Sequence, residues 1–135
     1  MAKKLTVCFA VILLLSPVFA HLSFAQVDPE KTLVGRWEGQ AETGQNRERR
    51  FAIKSVKATG SGEWVGYAAD GTEISIVSKN NEIYLEWIAS GGGKVPYRVK
   101  LVGDDKLEGT VGAIDRGRPV DRRVTFEKVK AGDVK

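Results

Sequence analysis

Seven arginines fall in two short stretches of this chain. Arg47, Arg49 and Arg50 form one, and Arg116, Arg118, Arg122 and Arg123 the other. A guanidinium stays charged at any physiological pH and offers planar N–H donors, so its chemistry is recognition of anions rather than proton transfer. The residues that do move protons or attack carbon are scarce. The single cysteine, Cys8, and the single histidine, His21, both lie near the N-terminus. A pair of carboxylates needs neither, but Glu38, Glu86, Glu108 and Glu127 alternate with apolar neighbours. They are expected on a wet face with ordinary pKa values. Glycine is abundant, yet no Gly-Lys-Ser/Thr follows any glycine cluster, so no phosphate loop is expected. The chain is therefore not expected to be an enzyme, and neither a cofactor nor a metal site is expected.

The N-terminal segment carries an export pattern. Lys3 and Lys4 precede an apolar run from Leu5 to Leu15, Pro17 ends the run, and Ser23-Phe24-Ala25 before Gln26 fits the small-x-small rule for cleavage. Val18-Phe19-Ala20 before His21 is a second cleavage candidate. The run falls short of the roughly 20 apolar residues of a membrane span, and no second apolar segment follows, so no membrane span is expected in the mature chain. Cys8 has no lipobox before it. The expected division is residues 1–25 as signal peptide, 26–32 as a flexible lead and 33–130 as a β-barrel domain, secreted or periplasmic after cleavage. Cleavage at Gln26 would remove both Cys8 and His21, leaving a cysteine-free domain with neither disulfide nor triad chemistry. It would also remove two of the 21 basic residues and lower the formal charge of +4. Nucleic-acid binding is not expected, because the aromatics share the core phase instead of interleaving with the basic patch.

Eight short segments of alternating apolar and polar residues follow, separated by turn residues. They span about residues 33–42, 47–58, 63–69, 73–78, 82–89, 94–102, 106–114 and 121–129. Period-two alternation marks half-buried strands, and Gly60-Ser61-Gly62, Asp70-Gly71, Asn80-Asn81 and Gly103-Asp104-Asp105 read as hairpin turns. Outside the signal, no run of ten residues has a helical apolar period. An all-β fold is expected: a small eight-stranded antiparallel up-and-down barrel, with a sandwich as the alternative, since closure removes unpaired edges.

The first strand begins Leu33-Val34-Gly35-Arg36-Trp37. A Gly-x-Trp opening the first strand of a meander barrel resembles the signature of the calycin superfamily, which includes lipocalins, fatty-acid-binding proteins and avidins. The resemblance implies a lipocalin-like barrel, plugged at its base by Trp37, with a tendency to bind small ligands. It covers the first strand specifically and the other strands as a pattern. The chain departs from the family in its short length, in having no helix after the barrel, and in carrying Lys128 and Lys130 where lipocalins usually place an arginine over the tryptophan. Gly39 stands where an avidin would usually carry asparagine, so biotin binding is not implied.

In a meander, alternate turns share one end. Thr43 to Asn46, Asp70-Gly71, Ser90 to Gly93 and Asp115 to Pro119 would form the mouth, and the arginines gather there, with Lys94 beside them. Arg49 is in phase with Phe51 and Ile53, and Arg122 with Val124 and Phe126, so both should point inward. The favoured reading is a binding protein for a small apolar or amphiphilic anion, held by Arg49, Arg122, Trp87, Tyr97, Arg116 and Arg118. The competing reading pairs the arginines with Glu42, Asp115 or Asp121 at a solvated rim. The expected interior is bulky: Leu33, Trp37, Phe51, Ile53, Ile74, Ile76, Ile83, Leu85, Trp87, Val95, Tyr97, Val99, Leu101, Leu107, Val111, Val124 and Phe126. A barrel packed this fully would leave only a shallow cup. A cup lined by Trp87, Tyr97 and arginine would favour ligand binding; a sealed interior would favour an interaction or envelope-associated module. The third strand is ambiguous in phase. If Trp64 faces in, Val65 and Tyr67 face out beside Val77, Tyr84 and Ile88, a set that could mediate a homodimer.

Overall fold

A computed structural model describes residues 27–42, 47–89 and 95–132. The segment read as a signal peptide, the loops at 43–46 and 90–93, and Lys94 lie outside the described residues. The order of elements is α1 (Pro29–Thr32), β1 (Gly35–Ala41), β2 (Arg47–Gly60), β3 (Glu63–Ala68), β4 (Glu73–Lys79), β5 (Glu82–Ile88), β6 (Pro96–Val102), β7 (Lys106–Asp115) and β8 (Arg118–Lys128). Each strand pairs antiparallel with the next, and β8 returns to β1, closing the barrel.

Alternation decides which side chains enter. The rung Trp64↔Ile76↔Leu85↔Val99↔Gly109↔Val124 runs across the inner wall. Every residue of the expected interior is buried or packed against the core. Two more join it, Ala41 and Val56. Val56 enters because β2 breaks register against β3 between Ile53 and Ser55. A bulge adds one residue and reverses the phase beyond it, which also lets this 14-residue strand bend around the barrel. The ambiguity of β3 is settled: Trp64 faces inward opposite Ile76, and Val65 faces outward opposite Ser75.

Two turns owe their tightness to left-handed backbone. Asn80 and Asn81 sit at φ 54° and 62°, and Arg116 and Gly117 at 48° and 78°. Both pairs have the positive angles that match a two-residue hairpin to strand twist. The second pair corrects the expected loop over Asp115 to Pro119: Arg118 and Pro119 already belong to β8.

The lead expected to be irregular holds one helical turn. Asp28 caps it, accepting from the Glu30 amide at 3.0 Å, and Pro29 occupies the first turn. That pairing is a helix start: the capping oxygen satisfies an orphan amide, and proline has none to satisfy. Pro29 is buried, and Val27 packs against the core. The turn helps to stopper the base of the barrel. There the Trp37 indole donates to the Leu33 carbonyl at 3.0 Å in a buried setting. The Lys128 ammonium donates to the Thr32 carbonyl at 2.6 Å and stands 5.8 Å from the Trp37 ring centre. Lysine thus occupies the position over the tryptophan. Gly35 is needed beneath it: its φ is +140°, and a Cβ there would lie 2.8 Å from Cε of Lys128. Among the described residues the core lies between Val27 and Phe126.

Candidate functional site

The interior is filled from the base upward and stops short of the mouth. A cup of about 320 Å³ remains there, with Phe51, Trp87, Tyr97 and Phe126 below and Glu48, Arg49, Arg50, Ala68, Asp70, Thr72 and Ala89 around the side. Strand pairing sets the floor. Trp87 and Tyr97 are direct partners on β5 and β6, and their rings stack 4.7 Å apart at 7°. Phe51 on β2 lies 4.9 Å from Trp87 and 4.9 Å, edge-on, from Phe126. Offset stacks and edge contacts suit the ring quadrupoles.

Arg49 is the cation in phase with the aromatic floor; Glu48, Arg50 and Asp70 are the other charged groups of the lining. Arg49 is placed opposite Gly39 on β1, so no side chain faces it from that strand. Gly39 could not be larger: a Cβ would lie 1.9 Å from the Thr125 carbonyl of β8. Arg49 Nε is buried without a hydrogen-bond partner. A donor removed from water and left unbonded costs about 1–3 kcal/mol, and more when charged. The same side chain also lines an outer groove with Glu38, Gln40, Glu48, Arg50, Thr125 and Glu127. In that groove Arg50 pairs with Glu48 at 2.9 Å and with Glu38 at 3.7 Å.

Three of the six expected site residues, Arg49, Trp87 and Tyr97, therefore meet in the cup. Arg122 does point inward, opposite Val111, but its guanidinium pairs with Asp115 at 3.4 Å. This is the rim pairing weighed against anion binding. Arg116 and Arg118 are exposed at the tip of the β7–β8 hairpin, away from the cup lining. Asp70 and Thr72 were missed. Their position in a mouth turn was the available signal, and a side-chain cap joins them: Asp70 accepts from the Thr72 amide at 2.9 Å.

The outer wall is polar where the alternation places it. Glu38, Glu86, Glu108 and Glu127 all lie outside the lumen, as expected, but Glu108 departs from ordinary behaviour. A hydrogen bond from Lys106, reinforced by its charge, holds the Glu108 carboxyl below the usual range. Nearby, hydrogen bonds from Tyr84 and Lys100 lower Glu82, and the same bonds raise both donors. The outward apolar residues sit among these charges. Val77 stands beside Tyr84, but Glu86, paired with Arg98 at 3.5 Å, separates Tyr84 from Ile88 along the wall.

No helix among the described residues is long and apolar enough to cross a membrane. Neither a known family nor a curated protein matches this sequence.

Proposed function

We propose that this chain is an exported, lipocalin-like member of the calycin barrels that binds a small apolar or amphiphilic anion in its mouth cup. One observation carries the reading: Arg49, whose Nε is buried and unbonded, lines the same cup as the aromatic floor. A ligand with an apolar body and one acidic group would cover the rings and satisfy the guanidinium, and charge-assisted bonds are the strong kind. The cup is near the lower end of the usual range for small-molecule sites, about 300–1,000 Å³, so the ligand is small. The export pattern at the N-terminus supports a role outside the cytoplasm. The reading assigns binding and no catalytic step. It is preferred over an interaction module or a homodimer through Val65, Tyr67, Val77, Tyr84 and Ile88. Ion pairs divide that outer set, whereas the cup is continuous.

Two fluorescent probes with a similar apolar body test this. Anilinonaphthalene sulfonate is an anion; phenylnaphthylamine is neutral. Arg49→Gln is expected to weaken the anion by about tenfold or more and the neutral probe by less than about twofold. Arg122→Gln is expected to change little, because Asp115 already holds that guanidinium. Unchanged anion affinity in the Arg49→Gln, Arg122→Gln double variant would end the proposal.

A further inference from the structure

The β7–β8 hairpin outgrows the barrel that carries it. Among the described residues the last rung between β6 and β7 is Tyr97↔Val111, and the last between β1 and β8 is Ala41↔Val124, with one more backbone bond from the Glu42 amide to the Arg123 carbonyl. Pairing between β7 and β8 continues through Gly112↔Asp121, Ala113↔Val120 and Ile114↔Pro119 to Asp115↔Arg118. Among the described residues the hairpin end is thus a two-stranded ribbon at the mouth, and two strands alone have no core in which to hide apolar groups.

Its composition is unlike the rest of the outer wall. Ile114 is 76% exposed, the most exposed large apolar residue among the described residues, and its partner Pro119 is exposed too. Around them the acids are partly used up. Asp115 holds Arg122, and Arg123 reaches Glu42 at 3.9 Å. Arg116 and Arg118 stand exposed at the tip. An apolar residue beside two tip arginines, which with Arg122 and Arg123 outnumber Asp115 and Asp121 on the ribbon, is a combination that suits an anionic bilayer: the side chain enters the headgroup boundary, and the cations meet lipid phosphates.

We propose that this ribbon docks the protein, mouth first, on an anionic lipid surface through Ile114, Arg116 and Arg118. Single-stranded nucleic acid is the poorer fit. It would leave Ile114 in water, and the ribbon offers no aromatic platform for bases. The docking does not depend on the cup, although it would turn the cup opening toward a source of amphiphiles.

Co-sedimentation with vesicles tests it, using the chain from Gln26 onward, which keeps every described core residue and α1. Binding is expected to phosphatidylcholine vesicles containing phosphatidylglycerol, weakening as salt rises, and not to phosphatidylcholine alone. Arg116→Glu with Arg118→Glu should lower partitioning by at least about tenfold. Ile114→Asn should lower it severalfold while leaving the salt dependence in place. Both variants should keep the parent melting temperature, since the tip lies outside the core. Arg49→Gln should bind vesicles like the parent, which separates failure here from failure of the cup. The proposal is overturned by equal binding to neutral vesicles, by no binding, or by full binding of the double charge reversal. Binding to duplex DNA or polyglutamate as strong as to vesicles, and indifferent to Ile114→Asn, would overturn it as well.

Discussion

At the residue scale, Lys128 does two jobs with one ammonium. It satisfies the Thr32 carbonyl at the end of α1 and lies against the Trp37 ring, so it ties the stopper to the last strand across a wide sequence separation. Lys128→Met keeps the length of the side chain and removes both interactions. The expected loss is about 2–4 kcal/mol, the sum of one charged hydrogen bond and one partly exposed cation–π contact. Lys128→Arg, which keeps a cation over the ring, should lose less than Lys128→Met. Urea unfolding of the three proteins measures this; a neutral Lys128→Met would mean that the stopper is held by apolar contact alone. Residue chemistry also explains which site assignments the sequence could support. Arg49, Trp87 and Tyr97 were legible because strand phase alone sends them inward. Arg122 was legible in direction, and its pairing with Asp115 was one of the two readings of its role. Its partner Asp115 lies seven residues away across a hairpin, and only the tight turn at Arg116-Gly117 brings the two together.

At the element scale, the strands were readable because one face is dry and the other wet, so each alternation reports its own orientation. The bulge in β2 was not readable. Nothing in Ile53-Lys54-Ser55 signals an extra residue; the need for it comes from bending a long strand around a closed barrel, a property of the whole sheet. The helical turn at Pro29–Thr32 was misread for the opposite reason, since an Asp-Pro pair breaks a strand and starts a helix equally well. Turns were the most legible elements, and they are open to direct measurement. Asn80 and Asn81 both hold positive φ, which alanine tolerates poorly and glycine adopts freely. Replacing both with alanine should cost about 1 kcal/mol or more, whereas Asn81→Gly should be neutral or slightly stabilising. Equal stability of the two variants in chemical denaturation would show that the hairpin does not depend on this geometry.

At the scale of the whole molecule, the distribution of titrating groups sets the pH range over which the barrel holds. The only histidine is His21, so a chain starting at Gln26 has no imidazole to titrate near neutrality. The shifted groups all belong to the outer wall. Glu82 and Glu108 are lowered from an ordinary 4.5 by hydrogen bonds from Tyr84, Lys100 and Lys106. A lowered acid contributes stability that is present above its unfolded value and is lost as pH falls through its folded one. Lys100 and Lys106 are raised from 10.5, and Tyr84 is raised from 10.0 by its bond to Glu82. Their contribution is complete below those values and is lost as pH rises through the raised ones. Both limbs therefore spare the neutral range: urea midpoints should be flat across it, decline below pH 4.5 and decline again above pH 10. Because the groups are exposed, added salt should shrink both declines. A midpoint that steps between about pH 6 and 7 would require a titrating group that this wall and lumen do not contain, and would refute the assignment of the shifts to these surface pairs.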